Sequence, residues 1–239
     1  GECSARRCGV TGARVGRGRV RPLFPQPGAC SNRAMDARQQ SPSTARNREP
    51  ILAELRRVLA PNAKVLELAS GTGEHAVFFA AAMPGLDWRP SDPNAEARAS
   101  IAAWTQAQHL TNIAAPCDID VEAPLWGVEG DAPFNALVAI NMIHISPWEA
   151  TLGLMAGARR LLAPGGVLFT YGAYKRGGRH TAPSNESFEQ WLKARDERFG
   201  VRDLEAVEAA AKAQGLKLRE IVEMPANNFA LVFQRNGRD

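Results

Sequence analysis

The sequence predicts an α/β fold, and two observations support this prediction. Short apolar runs alternate with segments of helical periodicity from about residue 46 onward, and turns rich in Gly, Pro and Asn separate many of them. Such alternation is typical of right-handed βαβ units, in which helices cover both faces of a parallel sheet. The chain of 239 residues is also long enough to bury a sizeable core in one domain. We therefore expect a single Rossmann-like, doubly wound, mostly parallel seven-stranded sheet with a C-terminal antiparallel hairpin.

The first half of this domain contains three predicted strands. We expect Asn47 to cap the first helix, which carries an apolar stripe and ends at Pro61. The run over 64–69 is apolar and leads into a glycine-rich turn, as expected of a buried strand. The other elements of this half are a helix at about 74–83, a strand at 86–91, a helix at 94–108 and a weaker strand at 112–117.

The second half continues the alternation. Ser146, Pro147 and Glu149 match a capping box, in which we expect Ser146 to be the N-cap of a helix that ends at Leu162. The last two strands are separated by a Pro-Ala-Asn turn, which predicts an antiparallel hairpin. The remaining predictions are strands at 134–140, 167–171, 217–223 and 228–234, and helices at about 185–197 and 203–214.

The first 34 residues differ from the rest in composition. They contain seven Arg and one acidic residue and have no hydrophobic periodicity, so we predict a disordered Arg/Gly/Pro-rich leader before a domain over 35–239. Met35 opens a segment that resembles a natural start, which favours an upstream leader or a misassigned start. An organellar transit peptide or a nucleic-acid-binding arm remains open as an alternative.

The charge distribution argues against a nucleic-acid-binding domain. The pI is about 9.1, but eight Arg face two acidic residues within 1–45, which leaves 21 basic and 23 acidic residues in 46–239. No apolar run approaches the roughly 18 residues of a membrane helix. Three of the four cysteines lie in the first 30 residues, and Cys117 is alone in the rest. We therefore expect no nucleic-acid or membrane partner, no metal site and a cytoplasmic location, or an organellar one if 1–34 is a transit peptide.

The segment after the first predicted strand contains the strongest functional signal. Gly71 and Gly73 let the backbone approach a ligand closely, and with Ala76 they also satisfy a dinucleotide-binding pattern. Glu67 lies four positions before the first glycine, where a carboxylate would repel a pyrophosphate by a few kcal/mol at an effective dielectric of about 20. The same carboxylate suits a cationic ligand, and S-adenosylmethionine carries both a sulfonium and an α-ammonium group.

These residues also carry a family resemblance. The segment Glu67-x-x-x-Gly71-x-Gly73 resembles the first motif of class I S-adenosylmethionine-dependent methyltransferases. Over roughly 36–236, the chain is similar to the methyltransferase-like 26 group, also described as the DUF938 family. The segments that carry this second resemblance are 45–51 (ARNREPI), 69–75 (ASGTGEH), 90–92 (PSD), 141–149 (NMIHISPWE) and 225–228 (PANN).

The resemblance implies a set of cofactor contacts at the ends of successive strands. Asp92 would accept the two ribose hydroxyls, Asp118 and Ile119 would bind the adenine, and Asn141 would offer an oxygen near the transferred methyl group. The methionine moiety would be held by Glu67 and by the loop backbone of Ala69, Ser70, Gly71, Thr72 and Gly73.

Each of these acids also has a structural alternative. Glu67 could form an ion pair with Arg46 or Arg48, Asp92 could cap the next helix, and Asp118 could be a turn residue.

Candidate catalytic and substrate residues follow the later strands. His144 is the best-placed general base, with Asn141 beside it, although a packed histidine that steadies the loop is the alternative. The basic, glycine-rich loop over 171–183 would face the substrate, unless it is only a solvated loop. We assign substrate contacts to Tyr171, Arg179, His180 and Asn228.

Together these observations predict an S-adenosylmethionine-dependent methyltransferase that acts on a small-molecule acceptor through O, N or S. The segment from Asn141 lacks the Asn/Asp-Pro-Pro-aromatic pattern of enzymes that methylate the exocyclic amines of nucleic-acid bases. The alternatives are an NAD(P)-linked oxidoreductase and a non-catalytic, S-adenosylmethionine-binding regulatory protein. The sequence identifies neither the acceptor nor the oligomeric state.

Overall fold

The structure is a computed structural model that describes residues 36–237. The prediction of a disordered leader over 1–34 lies outside the described residues. The helices are α1 (Pro42–Val58), α2 (Glu74–Ala82), α3 (Ala95–Ala107), α4 (Trp148–Leu161), α5 (Pro183–Lys193) and α6 (Leu204–Ala213). The strands are β1 (Lys64–Leu68), β2 (Asp87–Pro90), β3 (Phe134–Ile140), β4 (Leu162–Gly172), β5 (Tyr174–Arg176), β6 (Arg179–His180), β7 (Arg202–Asp203), β8 (Leu216–Met224) and β9 (Asn228–Arg235).

The main sheet has six strands in the order β2-β1-β3-β4-β9-β8. Strands β2, β1, β3 and β4 pair in parallel, whereas β9 is antiparallel to both β4 and β8. The predicted α/β fold and the C-terminal hairpin are therefore confirmed. A separate three-stranded sheet, in the order β6-β5-β7, lies outside the predicted architecture.

The predicted number of seven strands in the main sheet is wrong, because the segment 112–117 does not form a continuous strand. It runs beside β2 and touches it at two isolated bridges, Trp88 with Ile113 and Ser91 with Cys117. Pro116 lies between these bridges and has no backbone N–H to donate to a ladder. The segment is therefore attached to the sheet edge without extending it.

The two largest apolar clusters of the described residues lie on the two faces of the main sheet. Leu66 and Leu68 of β1 point to the face covered by α4 and α6, where they join the larger apolar cluster. Val65, from the same strand, points to the opposite face and packs with residues of α1 and α2 and with Trp88, which is fully buried. Helices on both faces bury a parallel sheet completely, which explains why its strands are apolar on both sides.

The order of the strands places a crevice at one edge of the sheet. The chain leaves β1 toward β2 on one side and then returns to β3 on the other, so the strand order reverses beside β1. Ligands bind to doubly wound sheets at such a reversal, outside the carboxyl ends of the strands. Glu67, at the end of β1, and Asn141, directly after β3, lie at this edge.

Two predicted helix starts are wrong. The first helix begins at Pro42, a residue well suited to a first turn, so Asn47 lies inside α1 and does not cap it. The N-cap of α4 is Pro147 and receives no side-chain hydrogen bond. Ser146 is not the cap because its hydroxyl donates to the carbonyl of Met142, 2.7 Å away. Within 36–237 no helix is both long and apolar enough to cross a membrane.

Candidate functional site

The loop between β1 and α2 is a tight turn whose glycines have different roles. Ala69, Gly71 and Gly73 all have positive φ, at 52°, 57° and 87°. A Cβ at Gly73 would lie 2.7 Å from the Cα of Ile101 in α3, so this glycine also allows close packing. A Cβ at Gly71 would meet nothing within 4 Å, so the backbone there borders open space. The loop can therefore present its backbone to a ligand at Gly71.

Glu67 is 2% exposed and lies behind this loop. Its carboxylate accepts a hydrogen bond of 2.9 Å from the indole Nε1 of Trp88 and a second one from the Ser70 side chain. Burial raises the pKa of Glu67 to about 7, against the opposing effect of these hydrogen bonds, and the nearby charge of Asp92 adds to the increase. Within 36–237 the carboxylate forms no salt bridge. The ion pair with Arg46 or Arg48, which was the structural alternative, is therefore absent from these residues.

Asp92 follows β2 and faces the same loop. One carboxylate oxygen accepts from the backbone N–H of Gly71 at 2.9 Å, and the other accepts from the N–H of Asn94 at 2.9 Å. The N-cap of α3 is Asn94, whose side chain accepts from the N–H groups of Glu96 and Ala97. Asp92 therefore does not cap the helix, and its carboxylate joins the end of β2 to the glycine turn.

The adenine prediction receives divided support. Asp118 is 67% exposed at its side chain and forms a 3.1 Å ion pair with Arg98 of α3. Ile119 is 2% exposed and packs in the core cluster with Leu66, so little of its side chain is open to a ring, and its contact with adenine stays a prediction.

Arg98 was missed by sequence reasoning. It also donates to the carbonyls of Asp92 and Pro93, both at 2.9 Å, and so links two of the predicted cofactor segments. Its place in the first turns of α3, four residues after the Asn94 cap, is the signal that could have identified it.

His144 is a packed residue rather than a side chain open to a ligand. It is fully buried, neither ring nitrogen has a hydrogen-bond partner, and its ring packs edge-on against Tyr174 with centroids 5.2 Å apart. A Cβ on Gly172 would lie 2.0 Å from its Nε2, so only glycine allows this approach. Burial, with a smaller contribution from the charge of Arg202, lowers the pKa of His144 to about 3. A fully buried ring with so low a pKa is a weak base near neutral pH, which favours the structural alternative over a general base.

A cavity of about 710 Å³ lies beyond the ends of β3 and β4. Its floor includes Asn141, which has a left-handed backbone (φ 59°), and Tyr171, whose hydroxyl bonds to the side chains of Asn47 and Asn228. Burial raises the pKa of Tyr171, against the effect of these two hydrogen bonds. Asn141, Tyr171 and Asn228 therefore lie together at one cavity.

Arg179 and His180 do not line this cavity, and their role as substrate contacts stays a prediction. The Nε2 of His180 lies 2.8 Å from one carboxylate oxygen of Glu189, and the Nζ of Lys175 lies 2.8 Å from the other. These contacts attach the β5–β6 hairpin to α5, and Arg179 is left exposed on that hairpin.

One face of α5 forms a wall of the cavity, and the sequence analysis left Phe188 and Trp191 of this face unassigned. Asn185, Phe188 and Trp191 face it from this helix, and Arg46 faces it from α1. Their spacing at three and six positions places them on one helical face, which is the signal that could have grouped them. Helical periodicity alone does not show which surface such a face meets.

The glycine turn and the two buried acids at the ends of β1 and β2 lie together on a doubly wound α/β sheet. The family model described as "Protein of unknown function (DUF938)" matches residues 38–235. The chain therefore belongs to the DUF938 family.

Solved structures with the same fold include several methyltransferases. An O-methyltransferase family protein from Burkholderia thailandensis aligns with a TM-score of 0.69 and 15% identity, over 82% of this chain and 58% of that one. A putative sarcosine dimethylglycine methyltransferase from Galdieria sulphuraria aligns with a TM-score of 0.63 and 17% identity, over 81% of this chain and 86% of that one. Human N-acetylserotonin methyltransferase, solved in complex with S-adenosylmethionine, aligns with a TM-score of 0.63 and 16% identity, over 81% of this chain and 53% of that one. The chain thus spans little more than half the length of the first and the third of these proteins.

Proposed function

We propose that the protein is an S-adenosylmethionine-dependent methyltransferase that methylates a small-molecule acceptor in the cavity beside Asn141. The observation that carries this proposal is the pair of acids at the ends of β1 and β2. Glu67 and Asp92 lie on the two sides of the glycine turn, at most 8% exposed, and neither forms a salt bridge within residues 36–237. The fold shared with a methyltransferase solved in complex with S-adenosylmethionine supports the same assignment.

Electrostatics favour a cationic nucleoside over a dinucleotide. Opposite unit charges about 6 Å apart attract by about 3 kcal/mol at an effective dielectric of 20, and like charges repel by the same amount. An ionised Glu67 behind the loop therefore favours a sulfonium or ammonium group and disfavours a pyrophosphate. Each oxygen of Asp92 accepts one backbone hydrogen bond and keeps a lone pair for a ribose hydroxyl.

The residues present suit a reaction that depends on alignment more than on acid–base chemistry. When bound, S-adenosylmethionine supplies a methyl group that is already activated on a sulfonium. The chain holds the acceptor against Asn141, which lies at both the crevice and the cavity, and so positions the acceptor atom for transfer. Because burial raises the pKa of Tyr171, its hydroxyl stays protonated and can donate a hydrogen bond to the acceptor.

Calorimetric titration with S-adenosylmethionine and S-adenosylhomocysteine at pH 8 tests the proposal. We expect binding of both, with at least a tenfold loss in Glu67→Gln for S-adenosylmethionine and in Asp92→Asn for both ligands. Asp87→Asn removes the same charge from an exposed position at the start of β2 and serves as the matched control.

Three outcomes would contradict the proposal. Unchanged affinity in both variants would separate the acids from cofactor binding, and displacement of bound ligand by NADH would favour the oxidoreductase alternative. Binding without any methylated product across a broad panel of acceptors, measured by mass spectrometry, would favour a non-catalytic regulatory protein.

A further inference from the structure

The charged and aromatic residues of the cavity define which acceptor it fits. We propose that the acceptor is a hydroxylated aromatic carboxylate, with its ring against Phe188 and Trp191 and its carboxylate at Arg46. This inference rests on the proposed function, because it assigns the cavity to the methyl acceptor.

The charge of the cavity wall is the first argument. Among the residues that the structure describes, Arg46 is the one charged residue that lines the cavity, and no Asp or Glu lines it. Within residues 36–237 its guanidinium makes no hydrogen bond or salt bridge, so its donors remain available. A guanidinium presents a planar fork of donors that matches a carboxylate, and the same positive charge repels an ammonium group.

The aromatic wall is the second argument. Trp191 remains 50% exposed although it is one of the largest side chains in the domain. Its ring stacks on Phe188 with centroids 5.8 Å apart and an angle of 24° between the rings, and the guanidinium of Arg195 lies 3.4 Å from its centroid. These contacts hold the indole in place at the cavity, so its open surface is presented to a ligand with little loss of side-chain entropy.

The floor of the cavity supplies the third argument. Tyr171 and the amides of Asn47, Asn141 and Asn228 are neutral groups that donate and accept hydrogen bonds, as a ring hydroxyl requires. In the reaction, a lone pair of that hydroxyl oxygen forms the new bond to the methyl carbon, and the electron pair of the broken C–S bond stays on sulfur. The products are the methyl ether and S-adenosylhomocysteine, and the hydroxyl proton passes to solvent.

Three catechols with the same two-carbon side chain but different charge test the inference. Dihydrocaffeate ends in a carboxylate, hydroxytyrosol in a hydroxyl and dopamine in an ammonium group. Their affinities are measured by tryptophan fluorescence with the full chain saturated in S-adenosylhomocysteine. We expect dihydrocaffeate to bind about tenfold more tightly than hydroxytyrosol, as one charge-assisted contact allows, and dopamine to bind more weakly than both.

Two variants assign the contacts, and a third is the control. Arg46→Gln should weaken the binding of dihydrocaffeate about tenfold and leave the affinity for hydroxytyrosol unchanged, since only dihydrocaffeate carries the negative charge. Trp191→Ala should weaken the binding of all three compounds by a similar factor. Arg219→Gln removes an exposed arginine from the edge strand β8, outside the cavity, and should change none of the affinities.

The results separate this inference from the proposed function. Failure to bind S-adenosylhomocysteine contradicts the proposed function itself. Binding of S-adenosylhomocysteine together with equal affinities for the three catechols, or with no binding of any of them, overturns the aromatic carboxylate alone. Loss of S-adenosylhomocysteine binding in Arg46→Gln would assign this arginine to the cofactor and would also overturn the inference.

Discussion

Glu67→Gln should make the protein more stable at alkaline pH, by an amount that the burial of this carboxylate determines. The pKa of Glu67 is about 7 in the folded chain, compared with an ordinary value of 4.5. Between these two values the unfolded chain releases the proton and the folded chain keeps it. The free energy of unfolding therefore falls as the pH rises through this window, and it levels off above pH 7. The difference corresponds to about 3 kcal/mol.

Glu67→Gln removes this fall in stability with rising pH and keeps the local contacts. Its amide oxygen can still accept the hydrogen bond that the Trp88 indole donates to Glu67. We expect wild type and variant to have similar stabilities at pH 5. At pH 8 the variant should be more stable by about 3 kcal/mol.

Urea unfolding followed by tryptophan fluorescence at both pH values measures this difference, with Asp87→Asn as the exposed control. A stability difference that does not change with pH, or a variant that is less stable at pH 8, would refute the reasoning that burial makes Glu67 keep its proton up to about pH 7.

Other predictions concern binding, the glycine turn and the hairpin. Affinity for S-adenosylmethionine should rise from pH 6 to pH 8 as Glu67 ionises, and calorimetry should show no such rise in Glu67→Gln; a parallel rise in both would assign the effect to another group. Gly73→Ala should lower the free energy of unfolding by about 3 kcal/mol or more, because residue 73 has a positive φ and a Cβ there would contact Ile101. Gly71→Ala should lower it by only about 1–2 kcal/mol, because only the positive φ opposes it. Equal losses of stability in thermal unfolding would contradict the packing argument. Glu189→Gln should increase hydrogen exchange in the β5–β6 hairpin without changing S-adenosylhomocysteine affinity, and a large loss of that affinity would connect the hairpin to the cofactor site.

Sequence reasoning succeeded where burial and local chemistry determine the structure. The runs that form β1 and β3 are buried on both sides, so their apolar character identifies them with nearly correct bounds. Glu67 and Asp92 lie near each other, because the carboxyl ends of adjacent parallel strands meet at one edge of the sheet.

The errors arise where the sequence pattern does not show which partner a side chain contacts. Nothing near His180 in the sequence shows that Glu189 binds it and holds the hairpin on α5. The helical spacing of Phe188 and Trp191 is equally compatible with core, solvent or a cavity wall. Ser146 follows the pattern of a capping box, but the carbonyl of Met142 is the partner that its hydroxyl finds.

The two loops that carry the acids are fastened to each other before any ligand is bound. The N–H of Ser70 donates to the carbonyl of Ser91 at 2.8 Å, and the hydroxyl of Ser91 donates to the carbonyl of Glu67 at 2.7 Å. The N–H of Gly71 completes the connection through Asp92. Both carboxylates thus belong to one hydrogen-bonded unit that is already ordered in the folded chain, so the proposed nucleoside ligand would lose little affinity to arranging them.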